Sequence, residues 1–262
     1  MPEDIVGFLI LGVVAGLMSG MFGIGGGAVI VPTLILLFGY GVTQATATSL
    51  GVLIWPVTVF AVIAYYRAGQ IRIRAALLIA SGLIVGGYFG ARIALSLPGG
   101  TLKMIYGFFL VYVGWRFVEP RKLFDQYVRK LPPPPPPPER EAIAIWYAEL
   151  GVGLLAGVAS GLFGIGGGLV IVPALIALMH YSHKQAVGTS LTALLPPVQI
   201  GALIEYYNAG LVQVGVALSI AVTLVIGALG GARIALGLPS GTIKRLYGVF
   251  LFVVSLRFIF GL

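Results

Sequence analysis

Two stretches combine residue types and spacing suited to binding chemistry. Gly23-Ile24-Gly25-Gly26-Gly27 is followed by Pro32, and Gly164-Ile165-Gly166-Gly167-Gly168 by Pro173. Each lies in an apolar run, where a glycine weakens a helix by ~1 kcal/mol relative to alanine. Such a run is tolerated where the chain must unwind or admit a close neighbour. A helix that resumes after the glycines, with its proline near the first turn, presents bare N–H groups and a partial positive charge. In a low-dielectric setting that is an anion site. Close packing through small residues explains one such stretch equally well. Two stretches, each joined to a proline at the same spacing, favour the site. The candidate residues are Gly25, Gly26, Gly27, Gly166, Gly167 and Gly168. No strand–helix unit of dinucleotide-binding type surrounds them.

Further polar groups follow each stretch. Thr48-Ser49 and Thr189-Ser190 lie one turn past Gln44 and Gln185. Hydroxyl and amide donors suit a partly hydrated oxyanion, and interhelical hydrogen bonding is the equally open alternative. Pro56 and Pro197 fall inside apolar segments and are expected to kink them. Gln199, just beyond Pro197, is a candidate lining residue. Arg92 and Arg233 each follow Gly-Ala near a segment end, where they snorkel to headgroups or contact a ligand. Glu205 sits in an apolar segment where the other copy has Ala64, and is a candidate proton carrier or a partner of Arg233. Glu149 is placed similarly. His180 and His183 have no carboxylate neighbour and make a poor metal site. No Ser/His/Asp set or paired acid suggests catalysis. Neither an enzyme, a metal nor a cofactor is expected.

The elements that must hold these residues are membrane helices. Of the 262 residues 59% are apolar and 9% charged, against about a quarter charged in a soluble domain. Mean hydropathy is +1.05. A chain so poor in charge cannot cover a water-facing surface, and its continuous apolar runs are long enough to cross ~30 Å of hydrocarbon as helices. A barrel would alternate instead. The opening Met1-Pro2-Glu3-Asp4 lacks the basic region of a signal peptide, so the first segment is expected to be a mature helix. There is no cysteine, and the net charge is +8. Lysine and arginine cluster near segment ends, as expected for headgroup contacts rather than nucleic acid.

The chain contains one unit twice. An offset of 141 residues relates Gly23 to Gly164, Pro32 to Pro173, Thr48-Ser49 to Thr189-Ser190, Tyr65-Tyr66 to Tyr206-Tyr207 and Arg92 to Arg233, without slipping. Residues 1–119 form the first repeat, 120–141 a linker and 142–262 the second repeat. Each repeat holds five apolar segments, about 5–22, 28–39, 44–66, 72–96 and 102–118, then 143–163, 169–180, 185–207, 213–237 and 243–261. The second is short, either a half-helix returning from mid-membrane or a tilted span, which gives eight to ten spans. In the linker, 121–131 has the pattern of a basic amphipathic helix lying on an anionic leaflet, and Pro132–Pro138 that of a stiff spacer, favoured over a docking site for a proline-binding partner.

Charge sets the orientation. Arg67, Arg72 and Arg74 occupy the loop between segments three and four of the first repeat, where the second has Asn208, Gln213 and Gly215. His180, His183 and Lys184 follow segment two of the second repeat, where the first is uncharged over 39–43. By the positive-inside rule these loops and the linker are cytoplasmic, and both termini lie outside. The second repeat is then inverted. The expected architecture is all-α and polytopic, with glycine-broken half-helices meeting near the midplane, as in many secondary transporters.

Gly-Ile-Gly-Gly-Gly followed by Val-Pro, then Gln-Ala-x-x-Thr-Ser-Leu, then Gly-Ala-Arg-Ile-Ala-Leu-x-Leu-Pro, stands in both halves. The pattern resembles the TauE/SafE family of sulfite and organosulfonate exporters, bacterial and archaeal inner-membrane proteins, over everything but the linker. The resemblance implies export of a small sulfur anion such as sulfite or sulfoacetate. Alternating access coupled to the proton gradient is the first expected mechanism. A passive anion channel and a non-transporting membrane scaffold are the alternatives. The expected partners are the anion and the lipid bilayer, with no nucleic acid; the oligomeric state is left open, a homodimer included.

Overall fold

The computed structural model describes residues 4–118 and 145–238. The linker, including its expected amphipathic helix and proline spacer, and the expected last segment at 243–261 lie outside the described residues. Within them the chain is helical. The first repeat supplies α1 (Ile5–Phe22), α2 (Gly27–Leu36), α3 (Val42–Leu53), α4 (Val59–Arg67), α5 (Ile73–Ser96) and α6 (Gly99–Val118). The second supplies α7 (Trp146–Phe163), α8 (Gly168–Met179), α9 (His183–Ala193), α10 (Ile200–Asn208) and α11 (Val214–Gly237). The helices α1, α5, α7 and α11 are long and apolar enough to cross a membrane.

The glycine stretches are true breaks. Gly23 ends α1 at φ 72°, and Gly25 and Gly26 follow at 76° and 88°. Gly164, Gly166 and Gly167 repeat this at 68°, 77° and 92°. Only glycine adopts three left-handed values so closely spaced without strain. The chain then folds back on itself. The Phe38 ring, after α2, lies 4.6 Å from that of Phe8 at the start of α1. Likewise the Tyr181 hydroxyl, after α8, donates to Glu149 Oε1 at 3.5 Å on the first turn of α7. Each pair is a hairpin with the glycines at its tip, so the second segment returns rather than spans.

Two expectations change. The third segments are broken, not kinked: the helix stops at Leu53 and restarts at Val59, and it stops at Ala193 and restarts at Ile200. Trp55-Pro56 and Pro196-Pro197 fill the gaps, where proline supplies no donor to carry the ladder through. Pro32 and Pro173 are also not in the first turn. Each is the sixth residue of its helix, where it removes the N–H that would bond Ala28 or Leu169.

Helix 1 of each repeat packs along helix 5 of the other. Gly12, Gly16 and Gly20 on α1 meet the carbonyls of Ile220, Leu224 and Ala228 on α11, too close for any side chain. Gly82, Gly86 and Gly90 on α5 meet those of Leu150, Leu154 and Val158 on α7 in the same way. Both partners rise together in number, so each pair is parallel, packed through small-xxx-small stripes. The broken pair α3–α4 lies against α11, and α9–α10 against α5.

These contacts fix the relative direction of the repeats. The far end of α11 lies beside the α8–α9 corner, because Lys184 Nζ donates to the Leu236 carbonyl at 2.8 Å. That corner also touches the first turn of α7 through Tyr181. Since α1 runs parallel to α11, it points towards the end from which α7 departs, and the copies are inverted. The Arg72 N–H donates to Thr189 Oγ1 at 3.1 Å, which brings the 67–74 turn to the same end. There burial, then the Glu149 carboxylate, push the Tyr181 phenol above its ordinary value, and Arg72 pulls the other way.

Candidate functional site

The two glycine tips meet. A Cβ on Gly27 would overlap the Gly164 carbonyl and come within 2.8 Å of Ile165 Cα; one on Gly168 would overlap the Gly23 carbonyl and come within 2.5 Å of Ile24 Cα. The contact is reciprocal, as a two-fold relation between the repeats requires. Beside it lies a cleft lined by Gly25, Leu53, Val57, Thr58, Gly166, Leu194 and Gln199. The 141-residue offset pairs Gly25 with Gly166, Leu53 with Leu194 and Thr58 with Gln199. Both repeats therefore contribute to the wall, four residues from the first and three from the second. The space is small, about 190 Å3.

The chemistry of this cleft is set by backbone. α2 and α8 both begin here, so two partial positive charges converge. Among the described residues, no N–H of 24–28 or of 165–169 donates a hydrogen bond within the protein. Gly25 to Gly27 and Gly166 to Gly168 are all buried. Unpaired donors in a membrane interior cost several kcal/mol each unless a ligand or water satisfies them. No charged side chain lines the cleft.

Hydroxyls hold the tips in place. Ser49 Oγ donates to the Gly164 carbonyl and Ser190 Oγ to the Gly23 carbonyl, both at 2.7 Å and fully buried. Each serine secures the other repeat's tip. Tyr65 and Tyr206 donate to the Gly20 and Gly161 carbonyls at 3.2 and 2.8 Å, fixing the last turns of α1 and α7. Thr48 Oγ1 accepts from the Gln213 N–H at 3.3 Å, the counterpart of the Arg72–Thr189 bond. Gln199 bridges Ser160, whose hydroxyl donates to Oε1 at 3.0 Å, and the Gly166 carbonyl, which accepts from Nε2 at 3.3 Å.

Of the residues singled out in the sequence, Gly25, Gly166 and Gln199 line this cleft, Gly27 and Gly168 make the contact between the tips, and Gly26 and Gly167 face Leu224 and Leu83. None of Thr48, Ser49, Thr189 and Ser190 lines the cleft: the serines hold the tips, and the threonines accept from the Gln213 and Arg72 N–H groups. Gln44 is half-buried on the first turn of α3. Gln185 closes a capping box with Ser182 at the start of α9, remote from the cleft. Arg92 and Arg233 lie on exposed faces outside it, and Arg92 donates to the Tyr88 hydroxyl at 3.0 Å. Glu205 is half-buried on α10, six residues or ~9 Å of helix beyond Gln199. Leu53, Val57, Thr58 and Leu194 were not singled out in the sequence. Apolar residues in an apolar chain give no signal, but Thr58 was findable as the counterpart of Gln199.

The family model of the sulfite exporter TauE/SafE matches residues 8–258. A probable membrane transporter protein of Methanocaldococcus jannaschii is 28% identical over 240 residues, covering 86% of this chain and 84% of its own. Another from Haemophilus influenzae is 28% identical over 271 residues, covering 95% and 96%. The Bacillus subtilis probable membrane transporter protein YdhB is 25% identical, covering 87% and 89%. No solved structure matches the chain.

Proposed function

The chain belongs to the sulfite exporter TauE/SafE family, a family of membrane transporters, and we propose that it exports a small sulfur anion, sulfite or an organosulfonate such as sulfoacetate, by alternating access. The observation that carries the proposal is the meeting of two inverted helix N-termini, their buried amides unpaired, at a cleft built by both repeats. A site of this kind binds negative charge without a fixed cation, so it can also release it.

The packing also indicates which parts would move. The repeats exchange their fifth helices, so the bodies that rock are α1–α4 with α11, and α7–α10 with α5. The two glycine tips and the broken pairs lie where these bodies meet. Glu205, in the α9–α10 pair, is the proposed proton carrier. The 67–74 turn, the linker and the 180–184 corner are placed on the cytoplasmic side of a prokaryotic inner membrane.

Flux of labelled sulfite and sulfoacetate into proteoliposomes tests the function. Uptake that saturates and collapses with the proton gradient is expected. Absence of flux for every sulfur anion offered, from protein shown to be folded, refutes it.

A further inference from the structure

The two halves of the cleft match in backbone but not in side chains. In the second copy Ser160 Oγ donates to Gln199 Oε1, and Gln199 reaches on to the Gly166 carbonyl. The 141-residue offset carries Ser160 onto Ser19 and Gln199 onto Thr58. Thr58 ends at its β-branch and donates to the Leu191 carbonyl at 3.4 Å, so no amide reaches Ser19. Ser19 is fully buried, and its Oγ has no hydrogen-bond partner among the described residues. A buried hydroxyl without an acceptor is costly, and natural proteins rarely keep one without a use.

We propose that Ser19 is a ligand-binding residue: one oxygen of the transported oxyanion accepts its hydrogen, standing where Gln199 Oε1 stands in the second copy. The inference rests on the anion-carrier function above and adds the asymmetry of its site. The ligand completes on one side of the cleft the network that the protein supplies for itself on the other. The shorter Thr58 leaves Ser19 Oγ without the partner that Gln199 gives Ser160, and the ligand supplies that acceptor when the cleft opens. The class of ligand is an oxyanion, because the position to be filled is that of an amide oxygen accepting from a serine.

Three variants test this by thermal shift of the purified full chain with sulfite, sulfate and sulfoacetate as probes. Ser19→Ala removes an unused donor from the empty protein, so its melting temperature without ligand should equal or exceed wild type. Its affinity for the probe that shifts wild type should fall about ten- to hundredfold, the loss of one hydrogen bond to a charged group. Ser160→Ala strips Gln199 Oε1 of its donor and should lower the melting temperature of the empty protein. Thr58→Gln should occupy the ligand's place with an amide, raising the empty protein's melting temperature and abolishing the shift. Ser19→Ala that keeps the full wild-type shift overturns the inference alone. Wild type that responds to no probe overturns the anion reading and the inference with it.

Discussion

Replacing Ser49 or Ser190 by alanine tests how the tips are held. Each serine is fully buried and donates at 2.7 Å to a carbonyl of the opposite repeat's glycine stretch. The substitution removes the donor and leaves the Gly164 or Gly23 carbonyl in a dry interior. A buried acceptor deprived of its partner costs about 1–3 kcal/mol. At roughly 2–4 °C per kcal/mol for a chain of this size, the melting temperature should fall by about 2–12 °C. The two bonds match in length and burial, so the two variants should lose similar amounts. Because the tips touch, the double variant should depart from additivity by about 0.5–3 kcal/mol. Ser81→Ala and Ser219→Ala are the controls: these exposed serines bond a carbonyl four residues back in their own helix, at 2.9 Å each. They should stay within about 0.5 kcal/mol of wild type. Melts followed by tryptophan fluorescence in detergent give all five values. If Ser49→Ala and Ser190→Ala melt with the exposed controls, the serines do not hold the tips.

Gly27→Ala and Gly168→Ala should each destabilise by about 1–3 kcal/mol and abolish flux in proteoliposomes, since both sides of the collision are backbone. Arg92→Gln and Arg233→Gln should leave anion affinity within about twofold in the same thermal-shift assay, because both guanidinium groups lie on exposed faces. Glu205→Gln should remove any dependence of flux on the pH gradient; unchanged coupling would exclude this carboxylate. Reporters fused after Lys130 and after Leu262 should face opposite sides of the membrane, and the same side for both would refute the inversion.

The sequence alone determined the unit and its duplication. The 141-residue offset, the apolar runs and the doubled glycine stretches are local patterns, and helix in a membrane is what such runs must form. Unequal Lys and Arg content of corresponding loops gave the inversion, because basic loops are retained on the cytoplasmic side. The glycine breaks and the buried Gln199 were legible because glycine runs and amides are expensive inside apolar helices. The tertiary structure decided what local patterns do not encode. The return of α2 along α1 depends on Phe8 meeting Phe38, a contact across thirty positions. Exchange of α5 and α11 between repeats depends on glycine stripes finding carbonyls more than sixty residues away. Ser49 and Ser190 carry donors that suit a ligand, and only the fold shows those donors already given to Gly164 and Gly23. Ser19 has the same chemistry and no acceptor, a difference made by one shorter side chain at Thr58 where the other copy has Gln199.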